Sequence, residues 1–276
     1  MSDMPRVTVL TSVYNGLPFF DRAIPSILEQ TYKDFEFLIV DDGSNDGTAE
    51  KLEQVAGRDS RIRVLKPGRV GFSRALNFGL ARAKGEYIAR QDFDDISYPL
   101  RLERQVAFLD SHPKVGLVGT HYIIEDENRD ERYVRKWPAD HKSLVQAMSK
   151  AIPFAHTLVM LRKEALVAAG GIAEVETITD LKTWIRIAQL GWELANVPEI
   201  LGVHYVFRMS HFHQALRYRK RQRVLAGMQA EAIIKLGMAP WRLIFPASRL
   251  AYALLPNVLK RFVRRRLGGS TEEDLD

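Results

Sequence analysis

Three carboxylates stand within four residues at Gln91-Asp92-Phe93-Asp94-Asp95, directly after the apolar run Tyr87–Ala89. Partly buried at that spacing they repel one another, at a cost in free energy unless positive charge joins them. A hard divalent cation supplies that charge, and carboxylate oxygens are its preferred ligands. Mg2+ commonly uses one or two of them and completes its shell with water and phosphate oxygens. Asp92 and Asp94 are therefore candidate ligands for Mn2+ or Mg2+ beside a diphosphate. The segment also has a structural reading, in which Asp94, Asp95 or Ser97 caps a helix starting near Pro99; Asp95 is the expected structural member. Two more polar segments follow apolar runs, Thr11–Asn15 and Asp41-Asp42-Gly43-Ser44. Asp, Gly and Ser are ordinary turn residues, so turn and ligand roles are both open at Asp41 and Asp42. Tyr14-Asn15-Gly16 carries the same two readings, and Tyr14 could lie against a flat base.

The elements that must position these segments can be read from periodicity. Val7–Val13, Phe35–Val40, Ile62–Leu65, Tyr87–Ala89 and Val115–Val118 read as strands, with helical patterns at Phe19–Gln30, Thr48–Ala56, Ser73–Ala83 and Leu100–Ser111. Strands alternating with helices of that length predict βαβ units and a mostly parallel sheet flanked by helices. In such a sheet ligands bind beyond the carboxyl ends of the strands, near a topological switch point, where all three polar segments fall. Asp46 or Thr48, Ser73, and Ser97 with Pro99 are expected helix starts, and Gly85 an expected left-handed stop. From about residue 121 the pattern loosens. Ile123–Asp126 and Leu158–Leu161 look like strands; Leu144–Met148, Lys163–Ala169, Leu181–Leu190 and a long stretch from about Gln214 to Leu236 look helical.

Composition excludes several classes. The 276 residues contain no cysteine, so neither disulfides nor thiolate metal sites arise. Met1–Arg6 is short and polar, which predicts no signal peptide. No apolar run reaches the roughly 18 residues of a membrane span, so the expected location is cytoplasmic. The net charge of +6 is uneven. Residues 1–200 are mildly acidic, whereas 201–269 carry 14 Lys and Arg against Glu231 alone. Such asymmetry implies two physical tasks.

Taken together, the segments resemble the family 2 glycosyltransferases of GT-A (Rossmann-like) fold. The resemblance rests on Val9–Gly16, Leu28-Glu29-Gln30-Thr31-Tyr32, Leu38–Thr48, Ala89–Asp95 with its DXD motif, Arg101-Leu102-Glu103-Arg104-Gln105 and Phe154-Ala155-His156-Thr157, and covers roughly residues 6–205. It implies an inverting, metal-dependent hexosyl or other glycosyl transfer from a nucleotide diphosphate sugar, a UDP-sugar being favoured. The implied acceptor is a glycan or lipid-linked precursor of cell-surface polysaccharide or lipopolysaccharide. By resemblance, residues 1–210 form the catalytic domain, with a nucleotide-sugar half (1–120) and an acceptor half (121–210). Thr11, Tyr14, Asn15 and Asn77 would meet the donor, Asp42 with Asp41 the base, Asp92 the ribose and metal, and Asp94 the metal. The family's general base maps to Asp180, although the Glu that usually precedes it is Thr179 and an acid that often follows is Lys182. Where many relatives place Arg, this chain has Leu76. His156 falls near the acceptor side, and Trp184 has either that role or, with Ile185 and Ala188 at helical spacing, a core role.

Residues 211–276 read as a basic, amphipathic helical extension. Arg217, Arg219, Lys220, Arg221 and Arg223 form one cluster; Lys260, Arg261, Arg264, Arg265 and Arg266 form another, with Val258, Leu259, Phe262 and Val263 on one face. That pattern suits a helix lying on an anionic membrane surface, to which Trp241, Leu243, Ile244, Phe245 and Tyr252 would add apolar insertion. A solvated face or a partner subunit is the alternative. No nucleic-acid module accompanies the charge, so no nucleic-acid partner is expected. Competing functions are a non-catalytic sugar-nucleotide or nucleic-acid binder and a sugar nucleotidyltransferase. The latter would carry a glycine-rich loop after its first strand, where Thr11–Gly16 has one glycine.

Overall fold

Val7–Val13 forms the first strand, β1, because its β-branched residues alternate between two covered faces. Val7, Val9 and Val13 enter one core and Leu10 the other. The computed structural model describes residues 4–128, 130–175, 178–207, 215–256 and 259. β2 (Phe35–Asp41) is buried at every position, and β3 (Ile62–Leu65) and β4 (Tyr87–Arg90) complete a parallel set in the order β3-β2-β1-β4. Helices α1 (Phe20–Leu28), α2 (Thr48–Ala56) and α3 (Phe72–Leu80) make the crossovers. The chain leaves β1 on one side and returns on the other, so the switch point lies between the carboxyl ends of β1 and β4.

Beyond β4 the sheet becomes mixed. After the short β5 (Ile96–Ser97) and α4 (Arg101–Ser111) come β6 (Val115–Asp126), β7 (Glu131–Arg135), α5 (His141–Ala147), β8 (Met160–Arg162), α6 (Lys163–Ala168), α7 (Thr179–Gln189) and β9 (Glu193–Val206). β8 runs antiparallel between β4 and β6, β6 pairs parallel with β9, and β5 and β7 add antiparallel edges. The parallel sheet expected from the sequence is thus its first half. Val115–Val118 and Ile123–Asp126 are the two ends of one long strand. The 14-residue β9 was not legible, because Pro198 and Glu199 interrupt its pattern. The ladder steps over them, pairing Val197 with Thr120 and then Ile200 with His121.

Local signals are also corrected. Gly47 stands at the start of α2, where Asp46 accepts from the Thr48 nitrogen at 3.0 Å as its place in the sequence suggests; Gly71 stands at the start of α3, and Ser73 lies inside it. Ser97 belongs to β5, and Leu100 stands at the start of α4. Gly85 is no left-handed stop; an added Cβ would lie 2.4 Å from the Thr8 nitrogen, so a close backbone approach demands glycine there.

The chain ends, as described, in α8 (Ala215–Lys235) and α9 (Ile244–Leu254). Leu225, Met228 and Ala232 of α8 share a core with Leu181, Trp184 and Ile185 of α7. Among the described residues no helix is long and apolar enough to cross a membrane. The second basic cluster, at 260–266, lies outside the described residues.

Candidate active site

The apolar β4 delivers Asp92, Asp94 and Asp95 to the switch point, and the loop holding them is fastened from beneath. Arg101, fully buried at the start of α4, donates to the carbonyls of Arg90 (2.7 Å) and Val159 (3.1 Å), to Gln91 Oε1 and to the Ser97 hydroxyl. Gln91 Nε2 in turn donates to the carbonyls of Asp92 and Asp95. The Asp92 backbone nitrogen donates to the buried Thr157 hydroxyl at 3.2 Å. Three of the sequence segments, at 89–95, 101–105 and 154–157, therefore meet as one hydrogen-bonded unit. Gln30 adds a fourth, bonding the Tyr98 carbonyl and the Leu102 nitrogen.

The three carboxylates differ electrostatically. Asp92 is half-buried and paired with the buried guanidinium of Arg90. Burial works against its charge, but Arg90 foremost, and then His204, hold its pKa below the ordinary value. Asp95 is fully buried, accepts from the Tyr205 nitrogen at 2.8 Å and lies 3.0 Å from His204 Nδ1. Burial pulls His204 down, but Asp95 overrides it and pushes the imidazole up to about 9. Asp95 is thus the structural member the sequence suggested. Asp94 makes no ion pair among the described residues, and burial, then Asp95 and Asp92, push its pKa up to about 7. Of the three, Asp94 is therefore the carboxyl for which ionisation is least favourable without added positive charge. Among the described residues no three acidic or histidine side chains converge on one point that could hold a metal ion.

Across the cleft, Asp42 is almost fully buried and accepts from the Val70 (2.7 Å) and Gly71 (3.0 Å) nitrogens. It also pairs with Arg69, whose guanidinium lies 3.7 Å from the centre of the exposed Tyr14 ring. Asp41 accepts from the Ser44 nitrogen. Asn15, at φ 55°, receives the Asn45 nitrogen on Oδ1 and gives its own nitrogen to the Ser44 hydroxyl, so it ties the β1 and β2 loops together. Thr11 is fully buried, near the carboxyl end of β1. Asn77 is turned to the chain itself. Its amide clamps the Ile172 nitrogen (2.8 Å) and carbonyl (2.9 Å) and reaches Glu174.

Asp180 stands in the first turn of α7. Burial foremost, with the charge of Asp92 adding to it, raises its carboxyl to about 6, while Arg221 of α8 opposes the rise. Asp92 and Asp180 are therefore neighbours in space. The departure at Lys182 has a physical counterpart: its Nζ is bonded to Glu231 of α8 at 2.6 Å. Trp184 is fully buried between Phe154 and His156, with ring centroids 6.3 and 6.0 Å away. Of its two readings the core one holds, and contact with an acceptor is closed to it. His156 packs on Phe72, and its Nε2 is buried without a hydrogen-bond partner in the described structure. Burial lowers its pKa to about 3, so the ring is neutral. Arg90, Arg69, Arg221 and His204 are site residues that sequence reasoning does not pick out. Arg90 alone left a signal, a cation closing an apolar strand just before an acidic cluster.

A mixed sheet of this topology, with acidic residues at its switch point, is the fold of the nucleotide-sugar enzymes as a class. The chain belongs to glycosyl transferase family 2, whose family model matches residues 8–169. Among its relatives is EpsE of Bacillus subtilis (strain 168), which carries a provisional glycosyltransferase name. It is 32% identical over 278 residues, covering 99% of this chain and 98% of that protein. The O-antigen biosynthesis glycosyltransferase WbnJ of Escherichia coli is 30% identical, over 77% of this chain and 84% of its own. In fold the chain is similar to the mannosyltransferase PcManGT of Pyrobaculum calidifontis, solved with GDP-Man and Mn2+. The TM-score is 0.65 at 24% identity, over 97% of this chain and 81% of that one.

Proposed function

We propose that this glycosyltransferase is inverting and metal-dependent. It takes a sugar from a nucleoside diphosphate donor and places it on a hydroxyl of a glycan or lipid-linked precursor of a surface polysaccharide or lipopolysaccharide. The observation that carries the proposal is the gathering of Asp92, Asp94 and Asp95 at the end of β4, where Asp92 pairs with Arg90 and Asp95 with His204 while Asp94 makes no ion pair among the described residues. Asp94 and Asp92 would hold Mn2+ or Mg2+, which supplies positive charge to the diphosphate as it leaves. Tyr14 and Arg69, with Asp42 holding the arginine, offer a flat cationic seat for the base. UDP-sugars are the first donors to test.

Asp180 serves as general base. It accepts the proton of the acceptor hydroxyl while that oxygen attacks the anomeric carbon opposite the diphosphate; the new glycosidic bond forms as the bond to the leaving oxygen breaks. A carboxyl raised to about 6 suits this task better than an ordinary one, because a base works best near operating pH. The buried neutral His156 and the clamp at Asn77 shape the site without taking part in proton transfer. Asp180→Asn tests the assignment. Transfer is expected to fall by at least about 10²-fold with donor affinity unchanged; activity within a few-fold of the original protein would refute the base.

A further inference from the structure

α9 wears its polarity reversed. At about 3.6 residues per turn, Ile244, Ala247, Ser248, Leu250, Ala251 and Leu254 share one arc of the helix, and all six are exposed. Ile244 and Leu254 are more than 60% open to solvent. Ser248, the one polar member, donates its hydroxyl back to the Phe245 carbonyl. The single charged side chain of the helix points the other way. Arg249 donates to Gln229 Oε1 (3.0 Å), Gln222 Oε1 (2.8 Å) and the Lys150 carbonyl (2.9 Å). The turn before α9 repeats the pattern: Arg242 reaches inward to Gln146 Oε1 (2.9 Å) while Trp241 stands exposed. A helix facing water presents charge outward and buries its apolar stripe. An apolar face whose arginines are turned inward is built for contact with something apolar.

Charge selects the occupant. Glu231 is the only acidic residue between 215 and 269, and it is bound to Lys182 and Lys235. Lys150 Nζ lies 4.4 Å from the Phe245 ring centre at one end of α9. Exposed Arg219, Lys220 and Arg223 lie within a turn of Gln222, toward the other end. The chain leaving α9 carries Lys260, Arg261, Arg264, Arg265 and Arg266 with no acid before Glu272. A second copy of so basic a surface would set like charges together, whereas an anionic bilayer offers both hydrocarbon and opposite charge. We infer that the Trp241–Leu254 face seats in the interfacial layer of an anionic membrane, with the flanking basic side chains against the headgroups. This surface involves neither donor, metal nor base, so it stands or falls apart from the function proposed above.

The test uses the full chain and vesicles of phosphatidylcholine with or without one third phosphatidylglycerol. Binding to the anionic vesicles is expected, at least about ten-fold tighter than to neutral ones and weakened by salt. The paired change Ile244→Glu with Leu254→Glu should abolish it without altering the melting temperature or donor-nucleotide binding. As an independent readout, Trp emission should shift to the blue on vesicle addition, and Trp241→Phe should remove that shift. Absence of binding by the unaltered protein overturns the inference. So does undiminished binding by the paired variant, or a solution dimer that the variant converts to monomer, which would assign the face to a second copy.

Discussion

At the scale of single residues, the acidic cluster resolves into three different environments. Arg90 pairs with Asp92 and His204 faces Asp95, so Asp94 is the carboxyl at which the proposed cation would matter most. Asp94→Asn should therefore remove the Mn2+-dependent part of the thermal shift given by a nucleotide sugar. Native-state binding at about a hundred times Kd contributes about 2.7 kcal/mol, which is a shift of several degrees and easily measured. An Mn2+ response that persists in Asp94→Asn would count against that ligand. The base gives a pH prediction. Asp180 is active as carboxylate, and its pKa is raised to about 6, so kcat/KM should fall tenfold per pH unit below about 6 and level off above it. A profile flat down to pH 4 would mean that another group takes the proton. The positions of the carboxylates were legible in the sequence because acids crowded behind an apolar strand repel one another and need a cation or a helix end to settle them. Their internal cations were not, since His204 comes from a strand 109 residues away and hydrogen-bond partners across a sheet leave no trace in local spacing.

At the scale of elements, the site depends on how α4 grips the loop after β4. Replacing the buried Arg101 by Met would remove a charged donor from the Arg90 and Val159 carbonyls and from Gln91 Oε1, which keep the Leu158 nitrogen, the Arg90 nitrogen and the Ser97 hydroxyl, and would take from Gln105 Oε1 the donor at 3.1 Å. A hydrogen bond to a charged group contributes about 1.5–3 kcal/mol, and loss of the buried cation offsets part of the sum, so Arg101→Met should lower stability by about 2–3 kcal/mol. Denaturant unfolding of variant and parent measures this, and a loss under about 1 kcal/mol would show the grip to be dispensable. The first half of the sheet was readable because β1, β2 and β4 are short apolar runs between well-marked helices. The second half was not. β9 hides its continuity behind Pro198 and Glu199, which bulge out of the ladder, and β7 is a mostly exposed edge with little apolar alternation. Motifs such as Arg101–Gln105 are recognisable as family marks, yet their work, bonding the carbonyls of neighbouring strands, becomes visible only once the sheet is assembled.

At the scale of the whole molecule, the basic extension and the catalytic body are joined through Lys182 and Glu231. Both side chains are about one-fifth exposed, so the pair is partly shielded from solvent. Lys182→Glu and Glu231→Lys should each slow transfer by several-fold through displacement of α7, while the double swap recovers most of the loss. A double-mutant cycle in kcat with no coupling would show that the pair does not steady Asp180. The change in charge along the sequence suggests a boundary near residue 210; the packing of Leu225, Met228 and Ala232 against Trp184 cannot be seen from charge at all. One rod, α8, carries Arg221, which restrains the base, and on the same rod Gln222 and Gln229 hold α9. Trimming the gene after residue 210 to obtain a smaller enzyme would consequently uncover Leu181, Trp184 and Ile185 and remove the arginine facing Asp180 in the same cut. What a charge map offers as a detachable tail is, in the packing, part of the floor on which the base stands.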